Sequence, residues 1–366
     1  MNSLGHRSGI VEHKKDLVDR VNRYYVIERK THEVTGGDGR TPLTNTPEVR
    51  RFAFNSMKRL GIDVPYGFLE NRVIDPESIN EITGWNLFWS LEQAGVMTAI
   101  AHGGGTYERH LPGRFLHYDV AAHRIASLFN GDERNSIRDK KVLELGCGSG
   151  LSLIRLADKG AYTVGLDSAI MALEFANYLA DISKVSSKVR LAQGDYFRSP
   201  FRDEEFDASF NFGVFEHLEG ERSDQLLSEM KRVTKHGGYI IIGIPNEESP
   251  FYKSFKRNQE DIKNIFPSLI DIPVEHSRYT LNIRKLIEDA SLSLIRKDGI
   301  FVAPSSPIKP ENISDDDVST FDIYLPKSRP SSIESKVAAW RGLELMSDLE
   351  FRIRYGWSVY YVAQKK

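Results

Sequence analysis

Hydrophobic and polar positions follow two different periods along the chain, and the change between them divides it into two zones. In the first zone, residues 1–105, apolar positions recur at helical spacing near 47–60 and 76–100. HGGGT at 102–106 is expected to be a flexible joint. From residue 106 onward, short apolar runs of strand character alternate with amphipathic helical stretches. The pattern predicts a helical N-terminal extension followed by an α/β domain over 106–366.

The second zone shows the strand–helix order that builds a parallel sheet. Its strand-like runs are KVLEL, YTVGLD, KVRLAQGD, FDASFNF, YIIIGIPN, LSLIRKDGIFVA and WSVYYVAQ. The stretch at 224–238 is expected to be a helix that ends at a pair of glycines. This alternation predicts a doubly wound α/β fold. Two long intervals, 249–279 and 303–353, are expected to be insertions that form a cap.

Composition and charge exclude several classes of protein. Apolar residues make up 40% and charged residues 27%, as in ordinary globular domains. Lys and Arg number 49 against 51 Asp and Glu, so the chain lacks the basic excess of a nucleic-acid-binding protein. The single cysteine, Cys147, rules out an internal disulfide, and we expect no metal site. The first fifteen residues do not resemble a signal peptide and no apolar run suggests a membrane span, so a cytoplasmic protein is expected.

Three glycines two residues apart follow the first predicted strand of the sheet. In VLELGCGSG, Gly146, Gly148 and Gly150 permit positive φ and a close approach of the backbone to a ligand. In a doubly wound sheet, ligands bind at the carboxyl ends of the strands. Asp167 ends the second strand at the distance along the chain expected of an acid that accepts hydrogen bonds from ribose hydroxyls. These features fit either NAD or S-adenosylmethionine.

Two further positions favour S-adenosylmethionine. Leu151 stands where the dinucleotide motif requires glycine. Asp195 ends the third strand, where a carboxylate can reach an adenine amino group.

The motifs together resemble those of class I S-adenosylmethionine-dependent methyltransferases. VLELGCGSG, GLD, GDYFRSPF, FDASFNFGVFEHL and the HGG–strand–PN stretch occur in the family's order and spacing. The chain looks most similar to the small-molecule branch that includes the ubiquinone and menaquinone biosynthesis enzymes. The resemblance covers about 138–302 and the last strand. It implies a Rossmann-like, seven-stranded, mostly parallel sheet with an antiparallel last strand, and S-adenosylmethionine as cofactor.

The resemblance also implies which residues contact the cofactor. Its methionine portion would lie over the three glycines, with Glu144 near the ammonium group. The other implied contacts are to the ribose (Asp167), to the adenine (Ser168, Ala169, Asp195 and Tyr196) and to the methionine portion (Asn211 to Gly213). On the helix before the first strand, His117 or Tyr118 would touch the methionine carboxylate.

Catalysis by such a protein depends mainly on orientation. Positioning two reactants supplies about 7–11 kcal/mol, whereas a single general base supplies roughly 3–5 kcal/mol. His217 follows the fourth strand and is the first candidate for a base, with a structural role as its alternative. His276 and Tyr279 are the second candidates, near the expected pocket opening.

The expected activity is methyl transfer from S-adenosylmethionine to a small and apolar molecule, at oxygen, with nitrogen and carbon acceptors left open. Three alternatives remain: a methyltransferase acting on protein or RNA, a non-catalytic protein that binds S-adenosylmethionine, and an NAD-dependent oxidoreductase, which Leu151 disfavours. The segment 249–273 within the first insertion is interpreted as a lid, a membrane-surface element or an ordinary packed helix.

Overall fold

A computed structural model of the chain describes residues 47–64, 81–103, 112–129, 137–218, 220–250, 252–253, 282–300, 342, 344 and 346–366. His276 and Tyr279 lie outside the described residues, as do most of the two predicted insertions.

Among the described residues, three helices precede the sheet. They are α1 (Pro47–Arg59), α2 (Glu81–Gly103) and α3 (Pro112–Ala126). Helix α1 packs on α2 through residues three and four positions apart, among them Ala53 and Met57 against Leu87 and Leu91. The two predicted N-terminal helices are therefore confirmed. The predicted joint at 102–106 is wrong at its first two residues, because α2 continues through Gly103.

Seven strands form one sheet in the order β3-β2-β1-β4-β5-β7-β6. Their bounds are β1 (Lys141–Leu145), β2 (Tyr162–Asp167), β3 (Val189–Gln193), β4 (Phe206–Phe212), β5 (Thr234–Pro245), β6 (Ser293–Ile300) and β7 (Ser358–Gln364). Strands β1 to β5 pair in parallel, and β7 lies antiparallel between β5 and β6. The predicted fold class is confirmed, and the strand order reverses between β1 and β4, which makes that crevice the expected ligand site.

The remaining described helices are α4 (Leu151–Asp158), α5 (Ile170–Ile182), α6 (Glu221–Val233), α7 (Ile283–Asp289) and α8 (Leu349–Tyr355). The expectation that a helix reaches the glycine pair at 237–238 is wrong, since α6 ends at Val233. Thr234 begins β5 and pairs with Phe206, and its hydroxyl lies 2.7 Å from that of Ser209. A β-branched residue in register with β4 thus ends the helix before the glycines.

Alternate residues of the strands face two separate apolar cores. Val142 and Phe210 pack with α3 and α4 on one face of the sheet. Leu143 and Leu145 pack with α6 and α7 on the other face. The sheet is therefore buried on both sides, as parallel sheets usually are. In the described ranges, no helix is both long and apolar enough to cross a membrane.

Helix α8 is fastened to the carboxyl ends of β5 and β6 by buried polar groups. Asn246 Nδ2 donates to the carbonyl oxygens of Ile353 and Gly356 at 2.7 and 2.9 Å. Arg352 Nε donates to Oδ1 of the fully buried Asp298 at 2.8 Å. Burial alone would raise the pKa of Asp298, but the hydrogen bonds from arginine outweigh it and lower that pKa.

Candidate cofactor and active site

The glycine turn between β1 and α4 has the backbone conformation that the sequence predicts. Gly146 and Gly148 have φ of 75° and 50°, in the left-handed region that favours glycine. An ideal Cβ on Gly146 would lie 2.6 Å from Val214 Cγ2, and one on Gly148 would lie 2.5 Å from Trp89 Cζ2. Protein side chains, in addition to any ligand, therefore require glycine at both positions.

Asp167 links the glycine turn to the start of helix α5. Its Oδ2 accepts a hydrogen bond from the Gly148 N–H, and its Oδ1 accepts one from the Ala169 N–H, both at 2.9 Å. Burial raises the pKa of Asp167, and the backbone hydrogen bonds oppose that rise. Since each carboxylate oxygen accepts more than one hydrogen bond, Asp167 keeps the capacity to bind hydroxyls.

Glu144 is the penultimate residue of β1, just before the turn, and one oxygen of its carboxyl group is buried without a hydrogen-bond partner among the described residues. The residue is 2% exposed, and its Oε2 accepts no hydrogen bond in the part of the chain that the structure describes. Burial, followed by the negative charge of Asp167, raises the pKa of Glu144 well above its ordinary value. A buried acceptor without a partner is costly, and an arriving cation or hydrogen-bond donor would relieve that cost.

Asn211, at the end of β4, uses its side chain to hold the crevice together. It is fully buried; its Nδ2 donates to the carbonyl oxygen of Leu145, and its Oδ1 accepts from the Val214 N–H at 3.2 Å. The ends of β1 and β4 are thereby tied at the point where the strand order reverses. Because both atoms of the Asn211 amide are already hydrogen-bonded within the protein, a contact between Asn211 and a cofactor would use the Asn211 backbone.

The residues predicted to contact adenine lie at the carboxyl ends of β2 and β3. Ser168 is half-buried, and its carbonyl oxygen accepts a hydrogen bond from Gln193 at 3.2 Å. Asp195 is exposed, and its Oδ1 accepts from the Phe197 N–H at 2.8 Å, so it also shapes the turn after β3. Tyr196 is half-buried, with its ring centroid 4.7 Å from that of Phe197.

His217 ends a 3₁₀ turn that follows β4. The turn spans Phe215–His217, and His217 is half-buried. Its ring centroid lies 6.3 Å from that of Trp85 in helix α2, at an angle of 66°. The first candidate base therefore meets the N-terminal helix at the carboxyl edge of the sheet.

Helix α2 supplies site residues that the sequence did not indicate. Asn86 Oδ1 accepts a hydrogen bond from the Met171 N–H at 3.0 Å, in the first turn of α5, and Trp89 packs on Gly148. These residues lie outside the family motifs. One feature of the sequence could have indicated that α2 is buried within the protein: its apolar residues are distributed all around the helix, which is typical of a helix buried on every side.

His117 lies on α3 beside Tyr118, with ring centroids 5.3 Å apart. Burial lowers the pKa of His117 to about 4. The imidazole is therefore neutral at pH 7, and it would approach a carboxylate as a hydrogen-bond donor and not as a cation.

Comparison with known proteins agrees with this geometry. The family described as "Methyltransferase domain" matches residues 143–242, from β1 into β5. Together with the fold and the glycine turn, this match identifies the region as a class I, S-adenosylmethionine-dependent methyltransferase domain.

Within that class, the domain resembles enzymes of quinone biosynthesis. A demethylmenaquinone methyltransferase of Mycobacterium sp. (strain JLS) is 38% identical over 106 residues, which are 28% of this chain and 40% of that protein. The chloroplastic tocopherol O-methyltransferase of Arabidopsis thaliana is 33% identical over 112 residues, 30% of this chain and 32% of that protein. The chain thus spans well under two thirds of these relatives.

Solved structures align with the chain at low sequence identity. Magnesium protoporphyrin IX methyltransferase from Synechocystis PCC 6803, solved with bound SAH, aligns with a TM-score of 0.43 and 14% identity. The alignment covers 71% of this chain and 87% of that chain.

Proposed function

We propose that the chain is an enzyme that transfers a methyl group from S-adenosylmethionine to a small-molecule acceptor. The observation that carries the proposal is the carboxyl group of Glu144 near the glycine turn, whose Oε2 is buried without a hydrogen-bond partner among the residues that the structure describes. A cationic amino group is the kind of partner that such a carboxylate lacks. The cofactor has one at its methionine end, so the donor set fits this group.

Each cofactor contact follows from the placement of a side chain or a backbone segment. Glu144 would bind the ammonium group, and Asp167 would accept hydrogen bonds from the ribose hydroxyls. Ser168, Asp195 and Tyr196 would contact the adenine, and the backbone at 211–213 would line the methionine portion. When bound, S-adenosylmethionine supplies an electrophilic methyl group on a positively charged sulfur.

We further propose oxygen as the acceptor atom and His217 as the base. The acceptor oxygen would bond to the methyl carbon as the carbon–sulfur bond breaks, and the hydroxyl proton would pass to the imidazole. The position of His217 after β4, and the O-methyltransferase among the relatives, support this assignment. His276 and Tyr279 remain the second candidates.

Calorimetric titration with S-adenosylmethionine, S-adenosylhomocysteine and NAD tests the cofactor assignment. We expect the two sulfur compounds to bind in the micromolar range, and NAD not to bind. Asp167→Ala should weaken the binding of S-adenosylhomocysteine at least tenfold. Binding of NAD alone would overturn the proposal, and an unchanged affinity in Asp167→Ala would overturn the ribose contact.

Transfer of a labelled methyl group to a panel of small hydroxylated acceptors tests the activity. His217→Ala should lower turnover about 10²–10⁴-fold and leave the affinity for S-adenosylhomocysteine unchanged. His236→Ala is the control, because His236 is exposed in β5 near the opposite edge of the sheet. Full turnover in His217→Ala would exclude His217 as the base.

A further inference from the structure

Helix α2 contacts both backbone segments that a bound cofactor requires. Trp89 packs against Gly148 of the glycine turn, and Asn86 accepts the Met171 N–H in the first turn of α5. Asn86 and Trp89 are three residues apart, so they lie on the same side of the helix. The matched family region begins at residue 143, so this helix lies outside it.

Asp167 closes these contacts into a ring. Its two carboxylate oxygens bind the N–H groups of Gly148 and Ala169, and α2 touches the chain next to both points. The path therefore runs from Trp89 to Gly148, through Asp167 to the start of α5, and back to α2 at Asn86. Displacement of α2 would remove its two contacts from this ring and leave those of Asp167, together with the hydrogen bonds from the Gly146 and Cys147 N–H groups to the carbonyl oxygen of Leu166.

Helix α5 depends on α2 for its N-terminal cap. Its N-cap residue, Ala169, has no side chain that can accept a hydrogen bond from the first turn. Asn86 provides that acceptor from a distant part of the sequence, in a buried position. Without α2, the Met171 N–H would lack this partner, and the first turn of α5 next to Ser168 would be less well fixed.

We propose that α2 is a structural part of the cofactor site, with Trp89 and Asn86 as positioning residues, so that docking of α2 and binding of the cofactor stabilise each other. The inference rests on the proposed function, since it requires a cofactor on the glycine turn. Coupling of this kind is reciprocal: a ligand that binds the ordered turn more tightly also favours the docked helix to the same extent. Trp85, on the same helix, lies beside His217, so docking of α2 would also position the proposed base.

Hydrogen exchange and calorimetry on the full chain test the proposal with S-adenosylhomocysteine as the probe. At about 100 times its Kd, the probe should slow amide exchange in 81–103 at least tenfold, within the limit of about a hundredfold set by mass action. Helix α7, on the other face of the sheet, is the internal reference and should change less. Trp89→Leu should bind the probe about tenfold more weakly, and Trp89→Phe should recover most of the loss. Phe52→Leu, at an exposed aromatic residue of α1, should bind like the wild type.

The outcomes separate the inference from the function on which it rests. If the wild type does not bind the probe, the proposed function fails and the inference fails with it. If the wild type binds but exchange in 81–103 is unchanged, the inference alone is overturned, whatever the variants do. Equal affinity in wild type and Trp89→Leu would overturn the role of Trp89. Equal losses in Trp89→Leu and Trp89→Phe would show that any change at this position disturbs the site, and would also overturn it.

Discussion

Glu144 and Asp167 stand at the ends of neighbouring strands, and their carboxyl groups are electrostatically coupled. Burial is the larger cause of the raised pKa of Glu144, and the charge of Asp167 adds to it. Glu144 therefore remains protonated in the ligand-free protein at pH values above its ordinary pKa of 4.5.

This coupling predicts a pH dependence of cofactor affinity. The ligand's ammonium group favours the carboxylate form of Glu144, so binding should release a proton and the affinity for S-adenosylhomocysteine should rise as the pH increases above about 4.5. Glu144→Gln should bind more weakly and with a flatter pH profile. Calorimetry in two buffers of different ionisation enthalpy measures the released proton. Equal pH profiles in wild type and Glu144→Gln would contradict the assigned ammonium contact.

The same shift in pKa has the opposite effect on the stability of the ligand-free protein. A carboxyl group whose pKa is higher in the folded than in the unfolded state binds more protons when folded, so its contribution to stability falls as pH rises above about 4.5. The free energy of unfolding of the wild type, relative to Glu144→Gln, should therefore decrease with pH from about 5 upward. Urea unfolding of both proteins across this range provides the measurement, and a difference that is constant or rises with pH would be inconsistent with a raised pKa.

Gly148→Ala should be more harmful than the same change at another glycine of positive φ. The new Cβ would overlap the ring of Trp89, adding about 1–3 kcal/mol to the conformational cost. Gly61 is the matched control, because its φ is 71° and no atom would lie within 4 Å of an added Cβ. Gly61→Ala should cost only about 1–2 kcal/mol. Urea unfolding compares the two, and equal losses would show that Trp89 does not press on the turn.

Asn86→Ala should lower the free energy of unfolding by about 1–2 kcal/mol, because the buried Met171 N–H loses its acceptor. Asn177→Ala, on the exposed side of α5, removes only a contact of 3.5 Å to Asp181 and should cost less than about 0.5 kcal/mol. Denaturant unfolding monitored by circular dichroism measures both changes. Similar losses in the two variants would argue against a cap provided by α2.

Arg352→Met should destabilise the protein by roughly 2–4 kcal/mol, because Asp298 loses a hydrogen-bonded partner in a fully buried position. Asp203→Asn is the control, since it weakens an ion pair with Arg232 in which the Asp203 side chain is 75% exposed. This control should cost less than about 1 kcal/mol. Thermal and urea unfolding should both show a larger loss of stability in Arg352→Met than in Asp203→Asn. A larger loss of stability in Asp203→Asn would contradict the prediction.

The sheet and the glycine turn were predictable because their signals are local. A strand such as KVLEL followed by three glycines and a helix specifies its own conformation, and the order of such units specifies a parallel sheet. The end of α6 was misplaced because pairing of Thr234 with Phe206 on β4 decides it, and that contact joins distant residues. The turn that Asp195 forms through the Phe197 N–H could be expected from the polar residue that follows the third predicted strand, whereas its contact with adenine remains a prediction.

The contribution of α2 could not be predicted because it depends on which surfaces meet. Asn86 and Trp89 belong to no motif, and only the three-dimensional arrangement brings them to Met171 and Gly148. Asn211 illustrates the same difficulty. Its position at the end of β4 suggested ligand contact, but the neighbouring β1 gives its amide a backbone partner at Leu145.

The position of β7 constrains the order in which the sheet can form during synthesis. Strand β6 pairs with β7 and not with β5, although β6 is synthesised first and 57 residues lie between its last residue, Ile300, and the first residue of β7, Ser358. Until β7 is made, β6 lacks its one partner strand in the described sheet, and the edge of β5 that β7 will occupy is not yet paired. Nascent chains that contain β6 but lack β7 therefore expose two unpaired strand edges, which makes this stage the one most open to mispairing and to chaperone binding.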